Sequence, residues 1–216
     1  MKSSNTKTDK MLSFRLYQLF FVFFLVYAAY AFAENNRKEL DLIEAARSQI
    51  GVTKYYDGAY VRLAYPNGDV AIERGVCTDV VVRAYRQAFR YDLQKNVHED
   101  MKQSFSSYPK NWGLTQPDAN IDHRRVPNLQ TFFTRKGALI NERDAQNFKP
   151  GDLVTQMIGG RLPHIGIISN KRNAKGTRYL VIHNIGGGTQ EEDILTAYPI
   201  TGHYRFFSVM NENQQP

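Results

Sequence analysis

Hydrophobic positions along this chain follow three rhythms, and each predicts a different kind of element. From residue 16 to 32 the apolar residues are nearly continuous ("LYQLFFVFFLVYAAYAF"), behind a leader that carries Lys2, Lys7, Lys10 and Arg15. From residue 36 the spacing becomes helical. Leu42, Ala46 and Ile50 share one stripe of a helix over 36–50, and Gly51 supplies its stop. Over 77–91, Val80, Val81, Ala84, Tyr85 and Ala88 face inward, with Thr78 or Asp79 offering the acceptor that the first turn needs. Further helices are predicted over 92–105 and 128–137. After "FKPGD" the rhythm changes to strands, over 152–158, 164–169, 178–185 and 202–209, with Asn173–Gly176 as a turn. The prediction is an α+β domain, helices first and an antiparallel meander after. Residues 52–75 are rich in Tyr, Gly and Pro and read as loop and short strands around a Pro66-Asn67-Gly68-Asp69 turn. The irregular segment 107–128 is long, and such loops usually carry function. Residues 211–216 are expected to be a disordered tail.

The leader has a charged start, an apolar centre and an Ala31-Phe32-Ala33 ending before polar "ENNRKEL". That is the form of a cleavable secretory signal over residues 1–33, and it places the mature domain, 34–210, in the periplasm. The alternative is an uncleaved inner-membrane anchor with the domain facing the periplasm, because 17 residues are close to a bilayer's thickness. The membrane would then be a partner only through this segment. No cysteine stands at the cleavage site, which excludes a lipoprotein. Without the leader, 24 basic residues face 20 acidic ones, a net charge of +4. No Lys/Arg-rich run accompanies it, so nucleic-acid binding is not expected.

Cys77 is the only cysteine, so no internal disulfide can form. It opens a predicted helix, where backbone N–H groups and the helix dipole favour a thiolate. A nucleophile there needs a base, and the chain has histidines at 98, 123, 164, 183 and 203. His164 and His183 fall in successive strands that a hairpin brings side by side. His164 would deprotonate Cys77, and His183 would orient His164. Asn184 is the alternative for the orienting role, since neighbouring strand residues point to opposite faces. His98 and His203 read as surface or packing residues. No C-x-x-C, H-x-x-x-H or H-E-x-x-H spacing occurs, so no metal is expected. "NIGGGTQ" precedes neither a Walker lysine nor a Rossmann helix, and no cofactor is implied. In the loop, Asp122-His123-Arg124-Arg125 is the most charged stretch. Its arginines could clamp a substrate carboxylate or pin the loop against Asp122. One of each is expected, with Arg125 the structural partner. Asp79 would cap the helix or meet a substrate amine.

"GDLVTQMIGGRLPHIGIIS" followed by "YLVIHN" resembles the strand pair of NlpC-type cell-wall cysteine peptidases, which have a papain-like fold with the nucleophile at a helix start. "GDVAIERGVCTDVVVRAYR", "DLQKNVHEDM" and "NIDHRRVPNLQTFF" resemble a bacterial family of unknown function placed in that superfamily. The likeness runs over about residues 40–207. It implies a monomeric, cofactor-free hydrolase that cuts amide bonds in peptidoglycan stem peptides through Cys77, His164 and His183. The carboxylates within reach of the arginines would be those of D-Glu or diaminopimelate. NlpC-type enzymes read Asp-Cys-Ser-Gly at the nucleophile, where this chain has Val76-Cys77-Thr78-Asp79, and the insert over 92–150 is long. Their oxyanion-side tyrosine lies upstream of the cysteine. Tyr55, Tyr56, Tyr60 and Tyr65 compete for that role, and Tyr56 is the candidate. The rival functions are a non-catalytic murein- or envelope-binding module and a thiol acyltransferase on the same scaffold. Circularly permuted relatives place the His before the Cys, an order this chain does not have.

Overall fold

The computed structural model describes residues 5–210; the expected tail over 211–216 lies outside them. The chain divides into two units, one ending at Arg37 and one starting at Lys38. Helix α1 (Asn5–Arg47) carries the leader, where Phe20, Phe21, Phe23 and Phe24 are exposed. Among the described residues no helix is long and apolar enough to cross a membrane.

In the second unit the last turns of α1 bury Leu42, Ile43, Ala45 and Ala46. Ile50 does not join them. The helix stops at Arg47, the chain turns over 48–51, and Gly51 takes a left-handed φ of 77°, which leaves Ile50 40% exposed. A short parallel pair follows, β1 (Tyr55–Tyr56) with β2 (Arg74–Gly75). Then come α2 (Cys77–Phe89), α3 (Leu93–Ser104) and α4 (Val126–Arg135). The α2 helix ends before 91 because Arg90 adopts a left-handed conformation. Its apolar stripe is as expected: Val80, Val81, Ala84 and Tyr85 are wholly buried. At about 1.5–3 kcal/mol for each larger side chain, that stripe is what fastens α2 to the sheet. Asp92 caps α3 by accepting from the Gln94 N–H at 3.1 Å. Pro127 sits in the first turn of α4, where its missing N–H costs nothing, so that helix begins two residues before 128.

The sheet has five antiparallel strands: β3 (Leu153–Ile158), β4 (Leu162–Arg172), β5 (Tyr179–Asn184), β6 (Thr189–Glu192) and β7 (Ile200–Tyr204). Their order is β6-β5-β4-β3-β7. Two expectations need correction. The last strand covers 200–204 rather than 202–209, and it returns to pair with β3 instead of extending the meander. Phe206 and Phe207, expected within that strand, lie beyond it and fill the helix-side core with Tyr85 and Phe132. Strand β6 was not anticipated, because "TQEE" shows no apolar alternation. Both faces of the sheet are buried: Leu153, Ile165, Ile167 and Ile182 belong to the core shared with α2, and Val154, Ile168 and Val181 to a second cluster with Phe148 and Leu195. His203 is a packing residue. Its ring stacks on Phe148 at 3.8 Å and meets Asp152 Oδ2 and the Glu142 carbonyl at 2.7 Å each.

Candidate functional site

Residue 77 is the first of α2, and Val76 before it has no side-chain oxygen to cap the helix. The cap comes from neither Thr78 nor Asp79 in the N-cap position. Asp79, at the third position, reaches back and accepts the Val76 N–H at 2.7 Å, while Thr78 donates to the Arg124 carbonyl at 3.2 Å. Cys77 is free and 3% exposed. It touches a cleft of about 230 Å³ whose walls include Tyr56, Trp112, Arg125, Leu162 and Pro163.

His164 follows those last two residues on β4. Pairing of Ile167 with Ile182 puts Gly166 opposite His183, so His164 and His183 share one face. Gly166 makes the approach possible: a Cβ there would run into the Val181 side chain and lie 3.2 Å from His183 Cβ. The two rings meet edge-on, with His164 Nε2 3.1 Å from His183 Nδ1. The orienting ring is therefore His183. Asn184 points away and donates to the Gly75 carbonyl at 3.0 Å. On its far side His183 Nε2 lies 3.1 Å from Glu192 Oε2. Glu192 was not among the expected site residues. Recognising β6 would have revealed it, since His183 pairs with Gln190 and Glu192 is two residues further on the same face.

The sulfur has no hydrogen bond to the His164 ring. Its partner on β4 is the adjacent backbone N–H of Ile165, which joins the N–H groups of Thr78 and of Cys77 itself in favouring the thiolate. They do not prevail. Burial dominates, the Asp79 carboxylate adds to it, and the thiol is pushed up to about 12. The expected resting thiolate is thus corrected to a neutral thiol. Burial, then the neighbouring His183, pushes His164 down to about 3, so this ring is neutral too. Burial also lowers His183, against the pull of Glu192.

Of the four tyrosines, Tyr56 lines the cleft, and burial followed by the charges of Cys77 and Asp79 raises its hydroxyl to about 12. Tyr60 donates to Asp118 at 2.9 Å, Tyr65 packs on the His98 ring, and Tyr55 is exposed. Both loop arginines line the cleft, and they are held differently. Arg124 is pinned by four bonds: Nε and Nη2 meet the two Asp79 oxygens at 3.0 Å each, and the same guanidinium donates to the Ala59 and Asp57 carbonyls. Arg125 lies over the Trp112 ring at 4.1 Å, stands a loose 3.9 Å from Asp122, and lines the cleft. Asp79, Asp122 and His123 are buried and do not reach the cleft wall. Burial raises Asp122 to about 6 and lowers His123 to about 3. Among the described residues no cluster of three or more His, Cys, Asp or Glu side chains could hold a metal ion.

The arrangement can do one kind of chemistry well. A small nucleophile at a helix start, with three backbone N–H groups around it, one of them from Ile165 next to His164 in the chain, suits attack on a carbonyl carbon. In comparisons with known proteins, the chain is 51% identical over 169 residues to the uncharacterized protein YijF of Escherichia coli (strain K12), covering 78% of this chain and 82% of that one. NlpC1 of Trichomonas vaginalis is similar in structure with a TM-score of 0.40 and 15% identity, over 77% of this chain and 44% of that one, so the chain spans less than half of its length. Residues 43–206 match the family described as domain of unknown function DUF1287, and the chain belongs to that family.

Proposed function

We propose that this protein is an exported cysteine hydrolase that cleaves amide bonds in peptidoglycan stem peptides. The observation that carries this is the bond from His164 Nε2 to His183 Nδ1, on the strand whose Leu162 and Pro163 line the cleft that Cys77 also lines. It engages one nitrogen of His164 and leaves Nδ1 for the thiol. Because both partners rest neutral, the Sγ proton passes to His164 Nδ1 as the sulfur attacks the carbonyl carbon, and no ion pair is stored beforehand. The helix-start N–H groups hold the oxyanion. His164 returns its proton to the leaving amine, and the thioester remains. Water then attacks, giving one proton to His164 and releasing the acid as the thiol re-forms. The lack of a bond between Sγ and the ring at rest suits this order, since such bonds tighten when substrate docks.

A peptide substrate suits the cleft. Its walls are largely aromatic and aliphatic, and the cation Arg125 sits over the Trp112 ring where a stem-peptide carboxylate could meet it. The leader supports export. Digestion of purified murein tests the reading. New peptide termini identified by mass spectrometry with the wild-type protein, and none with Cys77→Ala or His164→Ala, are expected. Murein left intact but bound equally by wild type and Cys77→Ala would make this a binding module, a reading favoured by the buried, protonated thiol.

A further inference from the structure

Glu192 takes no part in those steps, yet its carboxylate ends the row of hydrogen bonds that starts at His164. A carboxylate accepts and does not donate. At 3.1 Å from Glu192 Oε2, His183 Nε2 must therefore carry a hydrogen. Both rings are shut away from solvent, His183 wholly and His164 to 2% exposure, which keeps each neutral with one N–H. With its hydrogen on Nε2, His183 can only accept through Nδ1. His164 Nε2, 3.1 Å away, must then be the donor, and its Nδ1 keeps the lone pair.

From this chain of donors and acceptors we infer that Glu192 is a positioning residue, which sets the tautomers of both histidines and thereby makes His164 Nδ1 the base for Cys77. The inference rests on the proposed pairing of Cys77 with His164. The carboxylate is itself held: in the orientation that satisfies its own bonds, the Gln190 amide donates to both Glu192 oxygens at 3.1 Å. The side chain is 43% exposed, so its replacement removes no core packing. Without the acceptor, either ring could take the other tautomer, and a hydrogen on His164 Nδ1 would leave the thiol without a base.

Long-range proton–nitrogen NMR on histidine-labelled protein reads which ring nitrogen carries hydrogen without reference to any substrate. The wild type is expected to show Nε2–H on both His164 and His183 at pH 7. Glu192→Gln keeps an acceptor oxygen and should keep both tautomers, with murein hydrolysis down about 10-fold, the low end of what lost orienting partners cost. Glu192→Lys puts an obligate donor there and should turn both rings to Nδ1–H. Its kcat should fall about 10⁴-fold at constant KM and Tm, the scale at which a wrong tautomer disables a Ser–His–Asp triad. Nδ1–H on either wild-type ring, or tautomers unmoved by the lysine, would overturn the inference. Tautomers that switch as described in a protein that cleaves no murein would uphold the role of Glu192 and refute the hydrolase reading alone.

Discussion

Removing the Arg124 side chain should unfold this protein at a much lower temperature. The guanidinium and the Asp79 carboxylate are 1% and 4% exposed, so both charges sit out of water and depend on each other. Arg124→Ala strands the Asp79 carboxylate, whose remaining partner is the Val76 N–H, and it deprives the Ala59 and Asp57 carbonyls of their donor. Breaking one side of such a buried pair costs about 3–5 kcal/mol. In a domain of this size each kcal/mol moves Tm by about 2–4 °C, so the melt should fall by roughly 6–20 °C. Because the same bonds hold residues 57–59 at the cleft wall, activity should fall with the fold. Replacing both partners by apolar residues, Asp79→Leu with Arg124→Met, removes the stranded charge and should recover much of the loss. Circular dichroism melts at pH 7 compare the three proteins. A Tm for Arg124→Ala within about 2 °C of wild type would refute the claim that this pair ties the loop to α2.

Arg125 should behave oppositely: Arg125→Lys and Arg125→Ala should leave Tm nearly unchanged while kcat/KM drops by about 1.5–3 kcal/mol, the worth of a charge-assisted hydrogen bond. An early melt with kinetics lost in proportion would instead make it a loop pin. Cys77 should alkylate slowly at pH 6–8, as a neutral buried thiol does, and rapid labelling at pH 6 that vanishes in His164→Ala would show a resting ion pair that this electrostatic reading denies. Stability should depend on pH through the buried rings of His123 and His164, both pushed down to about 3. The unfolded chain takes up their protons below about 6.5 and the folded protein does not. Their contribution is therefore complete above that pH and is lost as pH falls from about 6.5 toward 3, at about 1.4 kcal/mol per unit for each ring. Urea titrations at pH 7, 6 and 5 check this, and a flat stability across them would show that the rings are solvated.

The residues that could be read without coordinates are those whose spacing carries the information. The α2 stripe and the hairpin that seats His164 beside His183 follow from helical period and strand alternation. Alternation also explains why His183 and Asn184 cannot share a role, although it does not say which of them faces His164; the register of Ile167 with Ile182 does. Polar partnerships across long separations were out of reach. Nothing in "DHRR" distinguishes the arginine that reaches Asp79, 45 residues away, from the one that lies on Trp112. Glu192 was hidden because an edge strand of Thr, Gln and Glu has no apolar rhythm. The thiol's charge is hidden for a related reason: position at a helix start is visible in a sequence, and the depth of burial that outweighs it is not.

That burial bears on how long the protein survives in use. Oxidants and disulfide exchange both act on the exposed thiolate, and a lone thiolate in an oxidising compartment is soon capped or driven to irreversible acids. Cys77 offers neither the charge nor the access: it is protonated at rest and only 3% exposed. On the proposed mechanism, the protein gives up a ready-made nucleophile for one that persists between encounters, with activation deferred until a docked substrate brings thiol and imidazole together. The same burial that keeps Cys77 protonated keeps it reduced.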